Sequence, residues 1–523
     1  MTPVELSLFA SRLDAVCDEM GGVLRNAAFS PNIRDRLDFS CAVFDDAGEL
    51  CAQAAHIPVH LGSMAFAMAD VVARMDWREG DMVVFNDPFL GGTHLPDVTV
   101  VAPLFHDGEL VAYRVNRAHH ADIGAYSPGS MPVSSSLDEE GLVLEPVHLL
   151  REGRWQETVL GRLRSATSDF LASRGDFAAQ VSANRAGLAR LSRLVAVGGT
   201  AVFRDGLAAL NDYGERLARQ TIAGIPDGDY RWEDWLDDDG QGNCDLPIRA
   251  RVMVDGESAL VDFAGTAAQV DGNVNCPLSV AAAAVYYVFR CLMPDNTPSC
   301  AGVFRPIRLH APGGCLLNAG HPAAVAAGNV ETSSRVVDVV LGALSRAIPR
   351  RIPAASQGTM NNLAMGSGSG TPWDYYETVG GGMGSGVSGG GLSAVQTHMT
   401  NTLNTPVEVL ESRLPLRVIE YGIRYGSGGC GRRRGGDGLV REFGFTEPAE
   451  LTLLTERRRH SPWGLAGGGG GLPGVNRLDG EDLPPKCHRH VSAGARLRLE
   501  TPGGGGYGVP DQGTRETTHD PDG

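Results

Sequence analysis

The segments Asn86-Asp-Pro-Phe-Leu-Gly-Gly-Thr-His94-Leu-Pro-Asp97 and His119-His120-Ala-Asp122 carry the residue types that hold a divalent cation. Imidazole and carboxylate donors meeting at one point make a ligand set with positions left open for water. The intervening sequence supplies the meeting. Val98 to Phe105 and Leu110 to Arg117 are rich in β-branched and apolar residues, and His106-Asp-Gly-Glu109 between them is a turn signal. In the one-for-one register of an antiparallel hairpin, partners then have numbers adding to about 215. Asp97 faces Ala118 and His119 faces Pro96, which brings His94, Asp97 and His119 to one rim. Such residues also cap loops and form turns, so the chemistry depends on the geometry.

Other elements must carry this hairpin. Leu6, Phe9, Leu13, Val16, Met20 and Val23 recur at helical spacing and predict an amphipathic helix over 4–27. Asp38 to Phe44 reads as a strand ending in the turn Asp45-Asp-Ala-Gly48, and Ile57 to Gly62 leads into a helix reaching Arg74. Gly80 to Phe85 is a further strand, and 158–222 form a helical layer. The acidic stretch from Ile225 to Gly240 marks an internal boundary, and 248–254 with 259–263 form a second hairpin. Ser279 to Met293 and Arg335 to Ala347 read as buried helices.

Composition narrows the function. A net charge of −17 argues against nucleic-acid and anionic-membrane partners. No basic segment followed by an apolar one opens the chain, and no apolar run reaches spanning length, so the expected location is cytoplasmic. The ten cysteines show no Cys-x-x-Cys pair, as expected of reduced thiols. Lys486 is the only lysine, so a phosphate loop of the Gly-x-x-x-x-Gly-Lys-Ser/Thr type is excluded and any ATP is expected to bind another chain.

From residue 358 glycine dominates, in runs such as 380–391, 426–438, 467–471 and 503–508. No fixed period links them, and their alternation with apolar and charged runs points to tight turns and close backbone approach rather than linkers. Gly384 to Gly389 matches a dinucleotide fingerprint and Gly386 to Gly390 a nucleophile elbow, but neither has the flanking strand and helix that the motif requires. The arginine runs 432–434 and 457–459 suit either anion binding or surface contacts.

Together with Asp38-Phe-Ser-Cys-Ala-Val-Phe44, His56-Ile-Pro-Val-His-Leu-Gly-Ser-Met64, Asn273-Val-Asn-Cys-Pro277, Gly328-Asn-Val-Glu-Thr-Ser333, Arg434-Gly-Gly-Asp-Gly438 and Thr501-Pro-Gly-Gly-Gly-Gly-Tyr507, these segments give the chain a resemblance to the hydantoinase B/oxoprolinase family through nearly its whole length. The resemblance implies the B-type subunit of an ATP-dependent cyclic amidohydrolase that opens hydantoin, 5-oxoproline or lactam rings. It implies a separate A-type subunit that uses ATP to phosphorylate the ring amide. It also implies a divalent metal ion, zinc, manganese or iron, held by His94, Asp97 and His119 with Asp38 as a fourth donor and Asp45 as the competing choice. A phosphorylated amide carbonyl loses its resonance, and a metal acidifies water for attack on it. His120 or Asp122 would take the proton, or would orient a ligand imidazole. Gly124-Ala-Tyr126 stands where many relatives carry Gly-Gly, a departure at the pocket floor.

The expected fold is α+β (mixed α/β), a multi-layer arrangement of antiparallel hairpins and helical layers with a glycine-rich C-terminal half. The expected organisation is an N-terminal metal-binding region over 1–224, a glycine-rich α+β region over 225–508 packed on it, and a disordered tail over 509–523. Two other functions stay open: a subunit of an acetone- or acetophenone-type ATP-dependent carboxylase, and a non-catalytic scaffold.

Overall fold

The computed structural model describes residues 1–54, 57–367 and 372–510, so the expected tail over 509–523 lies outside it from Asp511 onward. The chain enters through α1 (Pro3–Ala27), where Thr2 and Glu5 cap each other's backbone and Leu13, Cys17, Met20 and Leu24 form the buried stripe. The short α2 (Pro31–Arg34) follows. Seven strands then build an antiparallel sheet: β1 (Phe39–Asp45), β2 (Leu50–Ala54), β3 (Met82–Phe85), β4 (Asp97–His106), β5 (Glu109–His119), β6 (Val147–Arg151) and β7 (Arg154–Trp155), with α3 (His60–Arg74) between β2 and β3. Their order is β2-β1-β5-β4-β3-β6-β7, which puts the β4–β5 hairpin at the centre. After α4 (Glu157–Ala166), the 54-residue α5 (Phe170–Ala223) runs along α1 and across β4 and β5, interrupted where Gly199 turns to φ +79°. Part of α5 has the length and hydropathy of a membrane span, by composition alone.

A second sheet, ordered β11-β10-β9-β8, is built from β8 (Gly228–Asp238), β9 (Cys244–Asp255), β10 (Ser258–Asp262) and β11 (Ile307–His310), with α6 (Leu278–Leu292) between β10 and β11. Then comes α7 (Ser333–Leu344), which packs on β8 and β9, while α6 packs on α3 and α7. The largest apolar cluster runs through this layer, from Phe44, Phe85 and Val101 to Val280, Val337 and Ile248. Residues before and after 224 therefore share one core.

The acidic stretch read as a boundary is strand β8. Its Asp234 accepts from Arg457 at 2.7 Å, and Asp237 accepts backbone N–H groups of Arg458 and His460. Asp234 and Asp237 of this acidic stretch are buried partners of an arginine run about 220 positions further on, a separation that sequence reading cannot see, while Asp227 and Asp229 stay exposed.

The C-terminal strands are β12 (Asn362–Ser367), β13 (Trp373–Glu377), then α8 (Val407–Arg413), β14 (Leu416–Arg424), β15 (Gly438–Phe445), β16 (Ala449–Leu454), β17 (Val475–Leu478), β18 (Glu481–Asp482), β19 (Lys486–Val491) and β20 (Arg496–Glu500). They form the sheets β13-β12-β16-β19 and β14-β15-β20-β17-β18 over a core of Leu363, Phe443, Leu451 and Leu497. The glycine runs lie backbone against backbone. Gly429 donates to Gly504, Gly504 to Gly436 and Gly506 to Gly469. A Cβ on Gly436 would stand 1.9 Å from the Leu392 carbonyl oxygen, closer than any side chain tolerates. The fold is mixed α/β with several antiparallel sheets.

Candidate metal centre

Asp97 and His119 are direct partners across the β4–β5 ladder. The simple hairpin register placed them one position apart. A bulge between Leu104 and Phe105 adds one residue near the turn and shifts the pairing. Asp38 joins from the neighbouring strand: its carbonyl accepts the His119 N–H at 3.0 Å just before β1 begins. His94 lies on the preceding turn, whose His94 carbonyl accepts from the Asp97 N–H.

That turn is braced from outside. Asn86 donates to the Leu95 and Leu142 carbonyls and accepts from Leu144, so one side chain fixes two loops. Gly91 adopts φ +95° against α3, where a Cβ would fall 1.8 Å from that of Ala67. Buried Arg117 donates to Thr99, Ser63 and the Gly91 carbonyl, tying β5 to β4, α3 and the turn.

The side chains converge. His94 Nε2 is 3.2 Å from Asp97 Oδ1, and His119 Nδ1 is 3.3 Å from the same oxygen. Asp38 Oδ2 stands 4.0 Å from His119 Nδ1. Ligands about 2.1 Å from an ion, at the angles of tetrahedral or octahedral sites, stand about 3.0–3.4 Å apart, so the two spacings to Asp97 Oδ1 fit a shared cation, while Asp38 stands farther off. Hydrogen bonding agrees. Asp97 Oδ2 is engaged by Thr93 Oγ1 at 2.5 Å, His60 Nε2 at 3.3 Å and Asn329 Nδ2 at 3.4 Å, whereas buried Oδ1 has no hydrogen-bond partner. His94 Nδ1 faces the Ala326 carbonyl at 3.3 Å, which can only accept, so the proton sits there and the unpartnered Nε2 is a lone pair.

Charge favours ligation at Asp97 and His119, whereas His94 must give up a proton to ligate. Burial works against the Asp97 carboxylate, but His94, His60 and His119 outweigh it and hold the carboxyl well below its ordinary range. Burial pushes His119 down, keeping the imidazole neutral, while for His94 the Asp97 carboxylate outweighs burial and the net direction is up.

Behind the centre, the His119 ring stacks on Tyr376 at 4.8 Å, and the buried Arg36 guanidinium lies over the same ring at 4.6 Å and 3.8 Å from Asp38. In front lies a cavity of about 20 Å³, lined by Asp38, His60, Asp97, His119 and Asn329, by Ile57, Val59, Val330 and Met360, and by Tyr376 with three threonine hydroxyls. That is room for about one water, so a larger ligand enters only as the lining side chains move.

The remaining expected residues go elsewhere. His120 follows His119 and so points to the opposite face of β5, where its Nε2 meets Gln180 at 3.0 Å and its ring packs on Phe177 of α5. Asp122 accepts from the Gly124 and Ser168 N–H groups and lines a separate cleft. Asp45 caps its own turn through Ala47 and Glu49. Sequence reading missed His60, Thr93, Asn329 and Tyr376. His60, Thr93 and Asn329 lie in motifs already quoted, though nothing local shows that Asn329 reaches Asp97, and Tyr376 arrives from a segment outside them.

Fold and site together define a mixed α/β protein with a buried centre of two histidines and a carboxylate. The sequence pattern of the hydantoinase B/oxoprolinase family matches residues 2–510, and the chain belongs to that family. It is 38% identical to 5-oxoprolinase 1 of Arabidopsis thaliana over 97% of its length, but spans only 42% of that longer protein. The ATP-dependent caprolactamase of Pseudomonas jessenii superposes with a TM-score of 0.91 at 28% identity, covering 97% of this chain and 91% of that one. An acetone carboxylase chain shares the fold with a TM-score of 0.87 at 17% identity, covering 97% and 76%.

Proposed function

We propose that this chain is the B subunit of an ATP-dependent cyclic amidohydrolase, working with an A-type subunit that spends the ATP. The observation carrying this reading is the convergence of His94 Nε2, Asp97 Oδ1 and His119 Nδ1 at ligand spacing beside a small, partly apolar cavity. The family, the 5-oxoprolinase and the caprolactamase supply the reaction class. The absence of a phosphate-loop lysine supports assigning the nucleotide to the partner.

Asp38, His94, Asp97 and His119 would hold the cation. When bound, it supplies Lewis acidity, polarising a carbonyl and acidifying water near neutral pH. The residues do the positioning. Thr93, His60 and Asn329 occupy Asp97 Oδ2 and leave Oδ1 facing the two imidazoles. Asp97 Oδ2 only accepts, so the His60 proton lies on Nε2, and Ser40 Oγ, 3.0 Å from His60 Nδ1, donates to the other nitrogen. Ile57, Val59, Val330 and Met360 give the cavity beside the centre an apolar wall that disfavours water. No proton step is given to His120, whose ring packs on Phe177 and meets Gln180 on the other face of β5, or to Asp122, which lines a separate cleft.

The test is reconstitution with an A-type partner, assaying ATP-dependent opening of hydantoin, 5-oxoproline and caprolactam with and without bicarbonate. Ring opening that is independent of bicarbonate and abolished by Asp97→Ala is expected. Turnover that requires bicarbonate would move the chain to the carboxylases, and activity surviving Asp97→Ala would remove the centre from the chemistry.

A further inference from the structure

Asn329 belongs to the one sequence motif near the centre that the reading above leaves without a role at the substrate. It sits on a single π-helical turn, Gly328–Thr332, running into α7. Such turns break the regular helical ladder and often mark functional positions. This one is built by contact: Gly328 packs so tightly on the Asn275 carbonyl that a Cβ would fall 1.8 Å from it, and its N–H is bonded to the Asn273 and Val325 carbonyls.

The orientation of the Asn329 amide follows from chemistry. One end lies 3.4 Å from Asp97 Oδ2, and an ionised carboxylate only accepts, so that end is the NH₂ group. The carbonyl oxygen Oδ1 is then the other end. It is buried, has no hydrogen-bond partner, and belongs to a residue that lines the small cavity beside the centre. Buried acceptors without partners are rare and call for a donor. The cavity's threonines do not provide one: Thr378 and Thr402 bond each other at 2.6 Å and receive Arg36.

We propose that Asn329 Oδ1 accepts the N–H of the ring amide, so that the substrates are cyclic amides unsubstituted at that nitrogen. The proposal rests on the cyclic-amide reading above and narrows it. A ring forces the amide to be cis, placing its C=O and N–H on the same side. An open-chain secondary amide is trans and points them apart. Asn329 holds the outer oxygen of the same carboxylate whose inner oxygen faces His94 and His119. A carbonyl directed at the centre and an N–H directed at Asn329 therefore approach from one edge of one small group, which a lactam or imide offers and a trans amide does not.

Ligand-observed NMR on the purified, zinc-loaded chain tests this, using 2-pyrrolidinone and caprolactam, each beside its N-methyl derivative, with N-methylacetamide as the trans comparator. The wild type should favour N–H over N-methyl lactams by about tenfold or more, and N-methylacetamide should not compete. In Asn329→Ala, compared at equal metal content, that preference should fall toward unity. Equal binding of N–H and N-methyl lactams by the wild type, or a preference that survives Asn329→Ala, overturns the role of Asn329 alone. Failure of every lactam to bind the wild type overturns the cyclic-amide reading with it.

Discussion

Asp97 stands directly opposite His119 at the open end of the β4–β5 hairpin, and His119 Nδ1 comes within 3.3 Å of Asp97 Oδ1. In an antiparallel ladder, opposite residues project to the same face, so backbone register alone brings imidazole and carboxylate together. His94 reaches the same oxygen from a turn three residues earlier in the chain. The purified chain is therefore expected to retain about one divalent ion when prepared without chelator. Inductively coupled plasma mass spectrometry should show that ion lost in His94→Ala, Asp97→Ala and His119→Ala. Full occupancy in any two of them would place the ion elsewhere.

His60 acts on that centre from behind. It holds Asp97 Oδ2 at 3.3 Å, with Ser40 fixing its other nitrogen. Partners that orient a ligand commonly contribute 10- to 100-fold in affinity, so His60→Ala should weaken metal retention by about that factor. Competition against a chromogenic chelator measures it. His120→Gln is the contrast. His120 bonds Gln180 on the other face of β5, and its replacement should leave metal affinity within about twofold, since it touches no ligand. A large loss there would tie α5 to the centre.

Much of this site was readable before the fold was known, because a hairpin is local. Val98 to Arg117 supplies its own strands and turn, and the metal-ligand residue types sit at its open end. The one-position error came from the bulge at Leu104/Phe105, where no glycine or proline pair advertises an extra residue. His119 and His120 show how alternation sorts neighbours: adjacent strand residues face opposite sides, so His119 reaches Asp97 while His120 meets Gln180. Asn329 and Tyr376 were out of reach in principle. Asn329 lies 232 positions from Asp97, and nothing in a local pattern encodes that approach. The partner of Asp234 in the acidic β8 strand was equally out of reach, Arg457 lying 223 positions away.

Glu140 carries a pH dependence. Its Oε1 accepts from the Val325 and Ala326 N–H groups and from Ser134, beneath the carbonyl that receives His94, while Oε2 is buried without a partner. Burial raises its carboxyl to about 7, against the three hydrogen bonds that lower it. The folded state therefore holds a proton that the unfolded chain has released by about pH 5. Stability from this group is full below the unfolded value and is lost as pH rises toward 7, by about 3 kcal/mol in total. Glu140→Gln keeps the accepting oxygen and cannot ionise. Urea midpoints at pH 5 and pH 8 should differ less in the variant than in the wild type. An unchanged difference would exclude Glu140 as the titrating group.

Lys486, the only lysine, is buried inside the protein rather than spread on its surface. Its Nζ is 2.6 Å from Glu456 Oε1 and donates to the Thr455 carbonyl. Burial opposes its charge, but Glu456 and Asp238 outweigh that and hold the ammonium above its ordinary value. Removing one partner of a buried pair strands the other, at a cost of about 3–5 kcal/mol. Arg335, 3.3 Å from Glu456, remains to share that carboxylate, so Lys486→Met should fall at the lower end, about 3 kcal/mol by chemical denaturation. The same burial makes the protein unusual toward amine reagents. An acylating ester should modify the native chain at its N-terminal amine alone and reach Lys486 only after unfolding, because a protonated, enclosed ammonium has neither a free lone pair nor access. Intact-mass spectra taken in native buffer and in denaturant decide this. Ready modification of Lys486 in native buffer would mean that β19 opens far more easily than its pairing with β16 and its ion pair imply.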